Sequence, residues 1–244
     1  MNILGIIPAR YGSTRFPAKA LADIGGKSMI RRVYEQATKS ALLSDVVIAT
    51  DHEAIMQEAA SFGGKACMTS ENHQSGTDRC YEALTIQDKD YDYVINIQGD
   101  EPFINPSQID LLAGLLDGNT QLGTLVKQIE DQEELFNPNV VKAIFNVNND
   151  AIYFSRATLP YNRNSKKEDW LQERKYFKHI GIYAYRSDIL KQITNLPVSG
   201  LEYAESLEQL RWIENGYVIK VAETEYASVG VDTPEDLEKL KNFY

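Results

Sequence analysis

Three cations surround a turn of small side chains near the start of the chain, at Pro8-Ala9-Arg10-Tyr11-Gly12-Ser13-Thr14-Arg15-Phe16-Pro17-Ala18-Lys19. The apolar run Ile3 to Ile7 reads as a buried strand that stops at Pro8. Small residues beyond it let backbone N–H groups approach an anion, and Arg10, Arg15 and Lys19 bring positive charge to the same place. Phosphate is the chemistry this arrangement suits. The turn is neither of the common phosphate signatures, because no G-x-G-x-x-G follows the strand and no Walker A loop is present. Gly26-Lys27-Ser28 could close a Walker motif only with a glycine at position 21, where the chain has Leu21.

Two carboxylates fall at equivalent places after later strand-like runs. Asp100 lies in Gln98-Gly99-Asp100-Glu101-Pro102, directly after the apolar run Val94–Ile97, and Asp232 lies in Gly230-Val231-Asp232-Thr233-Pro234. Ligands of open parallel sheets bind beyond the carboxyl ends of the strands, so both acids are expected on the edge that carries the cationic loop. Hard oxygen ligands beside a triphosphate suit Mg²⁺. Taken singly, Asp232 reads equally as a helix cap, Asp100 as a solvated turn, and Arg10, Arg15 and Lys19 as surface charges.

The elements that must position these groups alternate. Strand-like runs at Ile3–Ile7, Val46–Thr50, Lys65–Met68 and Tyr93–Ile97 alternate with helical patterns near Met29–Thr38, Glu53–Ser61 and Thr77–Thr85, the βαβ signature of a parallel sheet. From about Asn137 the pattern turns β-rich, with Val140–Phe145 and Ile152–Arg156 followed by a charged stretch from Asn162 to Arg174. This is expected to be an inserted subdomain, with Tyr153, Phe154 and Tyr161 as exposed aromatics for an oligomer interface. Strand Ile180–Tyr185, helix Ala204–Ile213, strand Val218–Ala222 and a last helix from Pro234 to Lys241, capped by Thr233, complete the pattern. The expected division is 1–136, 137–175 and 176–244.

Composition narrows the partners. With 25 basic and 35 acidic residues among 244, the net charge of −10 argues against nucleic acid and anionic membranes and leaves a small phosphorylated ligand for the local cation cluster. No apolar run is long enough to span a bilayer and no secretory leader is evident, so a cytoplasmic location is expected. Cys67 and Cys80 fit neither a metal site nor a disulfide framework, and His52, His73 and His179 are too dispersed for zinc.

Together with His73-Gln74-Ser75-Gly76-Thr77, Tyr153-Phe154-Ser155-Arg156, His179-Ile180-Gly181-Ile182-Tyr183 and Leu207-Glu208-Gln209-Leu210-Arg211, the segments quoted above resemble the 3-deoxy-manno-octulosonate (Kdo) cytidylyltransferase family over nearly the whole chain. The resemblance implies an α/β fold like that of nucleotide-diphospho-sugar transferases: a mixed, mainly parallel, Rossmann-like sheet flanked by helices, with a small β-rich dimerisation insert. It also implies a homodimer, Mg²⁺ dependence, and transfer of CMP from CTP to Kdo with release of pyrophosphate, for lipopolysaccharide biosynthesis. Carried over by position, Ala9, Arg10, Ser13 and Lys19 would hold the triphosphate, and Ser75, Gly76 and Arg79 would line the cytosine pocket. Asp100 and Asp232 would bind Mg²⁺. Gln98, Arg156, Arg163, His179, Tyr183, Glu208 and Gln209 would receive the sugar acid. Ala18 and Ala20 stand where the family usually has Gly and Pro, Ser28 replaces a common Pro, and Tyr161 a frequent Trp.

Read without the resemblance, Glu208 and Arg211 form an exposed i, i+3 ion pair, and His179 and Tyr183 are core residues. Two alternatives to the implied reaction stay open: transfer to a related acid sugar such as 8-amino-Kdo or sialate, and a nucleotide-binding module without turnover.

Overall fold

A computed structural model describes residues 1–12, 16–227, 230–231 and 233–239. One nine-stranded sheet organises them, in the order β3-β2-β1-β4-β8-β5-β9, with β6 and β7 attached to β8. The strands are β1 (Ile3–Ala9), β2 (Asp45–Thr50), β3 (Ala66–Met68), β4 (Tyr93–Asn96), β5 (Leu122–Ile129), β6 (Lys142–Phe145), β7 (Ala151–Ser155), β8 (Tyr176–Arg186) and β9 (Ile219–Glu223). Helices α1 (Met29–Ala37), α2 (Glu53–Ser61), α3 (Gly76–Thr85) and α4 (Pro106–Ala113) serve the first half. Short helices follow: α5 (Gln132–Phe136), α6 (Trp170–Glu173), α7 (Ser187–Ile193), α8 (Gly200–Glu205), α9 (Gln209–Glu214) and α10 (Pro234–Lys239).

The β1–β4 half is parallel, as its continuous apolar runs require when both faces are covered by helices. β8 then runs antiparallel to β4 and β5, which makes the sheet mixed. Two buried clusters lie on its two faces: Ile7, Ile30, Val33, Ile48 and Ile95 belong to one, and Leu4, Ile6, Val94, Tyr185 and Trp212 to the other.

β1 does not stop at Pro8 but continues to Ala9, with Pro8 opposite Ala49 of β2. Strand alternation explains the tolerance. The Ile6 carbonyl accepts from Ile97 N–H at 2.9 Å, so the missing donor of Pro8, two residues on, faces the β4 side, and β4 pairs only as far as Ile6↔Asn96. The chain thus leaves the sheet beside the end of β4, and the cationic loop opens there.

Five elements carry no signal in the patterns above: α4, β5, α5, α6 and α7. For α4 the marks are present in the sequence, because Asn105 and Gln108 form a reciprocal capping box around Pro106 in the first turn. The hairpin of β6 and β7 joins the main sheet through Lys142↔Lys178. Phe154, expected to be exposed, is fully buried in the cluster of Tyr185 and Trp212, because β7 packs on α9; Tyr161 is exposed as anticipated.

The expected single helix from Ala204 to Ile213 is two helices meeting at Ser206, which takes the left-handed conformation (φ 53°, ψ 49°). Its N–H closes α8 on the Glu202 carbonyl, and the chain changes direction before α9 begins. In the last helix the Asp236 carboxylate accepts from the Thr233 N–H at 3.0 Å and the Thr233 hydroxyl at 3.1 Å, consistent with a helix start there.

Candidate active site

A cleft of about 300 Å³ opens beyond the carboxyl ends of β1 and β4. Its lining includes Ala9, Arg10 and Lys19 from the first loop, Ser75, Gly76 and Arg79 from the start of α3, and Gln98, Gly99 and Asp100 from the loop after β4. Eight of the residues singled out from sequence therefore share one cavity. Ser13, Arg15 and Asp232 lie outside the described residues.

At one end, Lys19 Nζ donates to Asp100 Oδ2 at 2.7 Å and to the Val231 carbonyl at 2.9 Å. Val231 N–H in turn donates to the Asp100 carbonyl at 2.9 Å, which fastens the segment before α10 to the loop after β4. Ala18, immediately before Lys19, holds φ 53°, ψ 29°, a conformation that favours glycine and costs alanine about 1–2 kcal/mol. The turn that presents Lys19 is therefore strained at the position where Gly is the family habit. Gly99 permits the close approach of the two loops, since a Cβ there would lie 2.7 Å from the Pro8 carbonyl oxygen.

At the other end, Ser75 caps α3 by accepting from Asp78 N–H at 3.1 Å. Arg79 is buried, with Nη1 donating to Thr69 Oγ1 at 2.6 Å and Nη2 to Asp51 Oδ2 at 2.8 Å. His73 bonds to Glu82, whose carboxylate also accepts from Ser70 N–H at 2.8 Å, so the loop entering α3 is tied at its base.

A polar seam runs from α3 toward β8 and α9. Glu208 accepts from Thr77 Oγ1 at 2.8 Å, and Thr77 Oγ1 lies 3.4 Å from Tyr185 OH, to which Asn96 Nδ2 donates at 3.3 Å. Arg211 does not pair with Glu208. It makes a bidentate bond to Glu202 at 2.7 and 2.6 Å, because the break at Ser206 turns Glu208 toward Thr77. Burial raises the Glu208 carboxyl above its ordinary range, with hydrogen bonds from Thr77 and Ser75 only partly opposing it.

A carboxyl raised in the folded state binds its proton more readily there than in the unfolded chain. Its ionisation therefore costs stability as pH rises from the ordinary Glu range through the raised value. Glu208→Gln keeps an acceptor for Thr77 and removes the charge. At pH 7.5 it is expected to melt higher, by about 2–4 °C for each 1 kcal/mol returned. Thermal melts check this, and a lower melting temperature overturns it.

His179 packs edge-on to Phe154 and beside Tyr183, both with centroids at 5.1 Å. Burial pushes its pKa down to about 3, so it is a neutral hydrogen-bonding group here. Thr124 Oγ1 lies 2.8 Å from the Ile182 carbonyl, 3.2 Å from the Ile180 carbonyl and 3.0 Å from His179 Nε2, so the ring is held by a hydroxyl with two carbonyl acceptors beside it. Tyr183 OH and Asn96 Oδ1 are buried without a hydrogen-bond partner among the described residues. Gln209 is buried at the start of α9, and Gln98 Nε2 donates to the Gly181 carbonyl at 2.8 Å.

Of the residues assigned to the sugar acid only Gln98 belongs to the cleft lining; His179, Tyr183, Glu208, Gln209, Arg156 and Arg163 do not. Arg156 donates through Nε to the Glu205 carbonyl at 2.7 Å, through Nη2 to the Ser206 carbonyl at 3.4 Å and through Nη1 to the Pro138 carbonyl at 3.2 Å. It holds the α8–α9 corner and does not line the cleft. Arg163 lies exposed beyond β7, also outside the cleft lining. Sequence reasoning missed Asp51, whose role depends on a neighbour 28 residues away. It also missed the buried Lys142, which donates to the Asn137 and Val140 carbonyls at 2.8 and 2.5 Å.

A family model described as cytidylyltransferase matches residues 4–224. The chain belongs to the cytidylyltransferase family. Within it, the chain is 56% identical over 238 residues to a 3-deoxy-manno-octulosonate cytidylyltransferase of Cytophaga hutchinsonii, covering 97% of this chain and 95% of the relative. It is 54% identical to the protein of the same name from Parabacteroides distasonis, covering 100% and 98%. A solved structure of CMP:2-keto-3-deoxy-manno-octonic acid synthetase complexed with CTP superposes with a TM-score of 0.92 at 43% identity, covering 100% of this chain and 98% of that one. The α/β fold implied by the family resemblance is thus the fold found, and these family members share it along the full length.

Proposed function

We propose that the protein is a nucleotidyltransferase that activates Kdo with CTP, giving CMP-Kdo and pyrophosphate. One observation carries the reading: a single cleft has cations and a carboxylate (Arg10, Lys19, Asp100) at one end and a polar loop and buried guanidinium (Ser75, Gly76, Arg79) at the other, in a chain of the cytidylyltransferase family. The first end suits a triphosphate and the second a base edge.

The anomeric hydroxyl of the sugar attacks the α-phosphorus of CTP; the new O–P bond forms as the bond to pyrophosphate breaks, and the hydroxyl proton leaves to solvent. Catalysis is then chiefly positioning and charge neutralisation. Arg10 and Lys19, with Ser13, receive the charge that develops on the departing pyrophosphate, and Ser75, Gly76 and Arg79 hold the base. Gln98, His179, Tyr183, Glu208 and Gln209 meet the sugar, and the buried Tyr183 hydroxyl without a partner fits a ligand hydroxyl. Arg163, exposed and without a hydrogen-bond partner among the described residues, remains the cation proposed for the sugar carboxylate.

Mg²⁺ fits the donor set of Asp100, a hard carboxylate whose Oδ1 has no bond among the described residues, together with Asp232. When bound, it supplies Lewis-acid neutralisation of phosphate charge. A homodimer belongs to the same proposal, with exposed Ile152 on β7, Tyr161 and Tyr203 on α8 as interface groups. So does a cytoplasmic location, where nucleoside triphosphates are available; among the described residues no helix is long and apolar enough to cross a membrane.

Pyrophosphate release from CTP, Mg²⁺ and Kdo tests the reading. CTP is expected to exceed ATP and GTP by about 10²-fold or more in kcat/KM, because a hydrogen-bonding base pocket rejects bases that leave its groups unpaired. Silence with intact CTP binding would make the protein a binding module. A preference for 8-amino-Kdo would change the acceptor and leave the transfer chemistry standing.

A further inference from the structure

Asp51 follows directly on β2 and does not line the cleft, yet its carboxylate bonds to Arg79, which does, and to Tyr11, the chain neighbour of the lining residue Arg10. Oδ2 accepts from Arg79 Nη2 at 2.8 Å, and Oδ1 accepts from the backbone N–H of Tyr11 at 3.0 Å. Arg79 has little freedom otherwise. Its Nη1 is on Thr69 Oγ1, and the Thr69 N–H and hydroxyl both end on the Thr50 carbonyl, at 2.7 and 3.0 Å. Tyr11 is held a second way, its ring stacked on His52 with centroids 3.7 Å apart and planes 12° apart.

The loop after β1 and the base-side residue on α3 therefore share one anchor, the tip of β2. A carboxylate is rigid and planar, so a movement of the guanidinium on one oxygen reorients the other oxygen and the N–H bound to it. The side chains of Arg79 and Asp51 are only 4% and 12% exposed, so water does not readily replace either bond.

We infer that Asp51 is a positioning residue that couples the nucleoside end of the cleft to its phosphate end: the carboxylate that holds Arg79 for the base also sets the Arg10–Tyr11 backbone for the triphosphate. The inference rests on the proposed placement of base and triphosphate. It extends that placement by making occupation of one end strengthen the other, so that a nucleotide binds better than its two halves bind separately.

Two half-ligands test it: cytidine for the base end and inorganic pyrophosphate for the loop, each measured as an inhibition constant against CTP. In the wild-type protein both must compete with CTP; failure there overturns the placement and the coupling with it. In Asp51→Asn both constants are expected to rise about fivefold or more, with KM for Kdo unchanged, because each end loses the charged hydrogen-bond acceptor it shares with the other. Weakening of cytidine alone, or of neither, overturns the coupling. Arg79→Gln supplies the independent arm if Asp51→Asn folds poorly. It removes the base-side partner and leaves the loop's own sequence intact, and it is expected to weaken pyrophosphate by about threefold or more. Unchanged pyrophosphate affinity in that variant overturns the proposal. A purely structural Asp51 would lower the melting temperature while leaving both inhibition constants in place.

Discussion

Asp100→Asn is expected to lower kcat by about 10²- to 10³-fold while the melting temperature stays near that of the wild type. The first half follows from charge. The substitution removes the anionic ligand proposed for Mg²⁺ at the reacting phosphates, and several kcal/mol of transition-state neutralisation at 1.36 kcal/mol per tenfold gives that range. The second half follows from exposure. Asp100 pairs with Lys19 at 2.7 Å, but the Asp100 side chain is 32% exposed and that of Lys19 18%, and ion pairs open to water contribute about 0–1 kcal/mol. Asparagine also retains an oxygen for Lys19. Pyrophosphate release and thermal melts separate the two effects; a variant that melts far lower and keeps its specific activity would make Asp100 a structural residue.

Gly99→Ala is expected to damage the site from a position that contributes no functional group. The added methyl would sit 2.7 Å from the Pro8 carbonyl oxygen, a backbone atom that no side-chain rotation can move aside. Overpacking of this kind costs about 1–3 kcal/mol, and relief requires the loop after β4 to retreat from the loop after β1. That retreat would carry Gln98 and Asp100 away from Arg10 and Lys19. A displacement of about 1 Å can cost 10²-fold in rate, so kcat is expected to fall about 10²-fold with a modest drop in melting temperature. Alanine at Gly200 is the control, because it lies outside the cleft lining and its nearest neighbour is at 3.7 Å, an ordinary contact. Equal losses in the two variants would show that Gly99 is not the pinch point.

Arg10 and Asp100 were legible because each follows a buried strand within a few residues, and strand ends of a parallel sheet share an edge; Lys19 was legible as part of the cationic loop that opens after β1. Glu208 was half legible. Its family role could be named, but its partner was misread, since helical spacing offers Arg211 and nothing in the sequence announces that Ser206 adopts a left-handed backbone. Arg156 shows the opposite problem. A guanidinium suits a carboxylate ligand as well as it suits carbonyls at a helix end; here it bonds to the Glu205 and Ser206 carbonyls, which residue type alone does not announce. Asp51 was not legible at all, because its meaning depends on the parallel register that sets Ala9 beside Thr50 and so brings Tyr11 within reach. β5 escaped for a related reason: between antiparallel β8 and parallel β9 it is defined by its neighbours more than by its composition.

The pair of Lys19 and Asp100 bears on what the cleft can admit. Asp100 pairs with Lys19, so a visiting anion that draws Lys19 away parts it from that carboxylate, and a visiting cation that claims Asp100 leaves the ammonium on the Val231 carbonyl. A visitor carrying both signs supplies both groups with a partner. Binding at this spot is then an exchange of partners between two salts, and it selects for ligands that arrive as ion pairs over phosphate or metal alone.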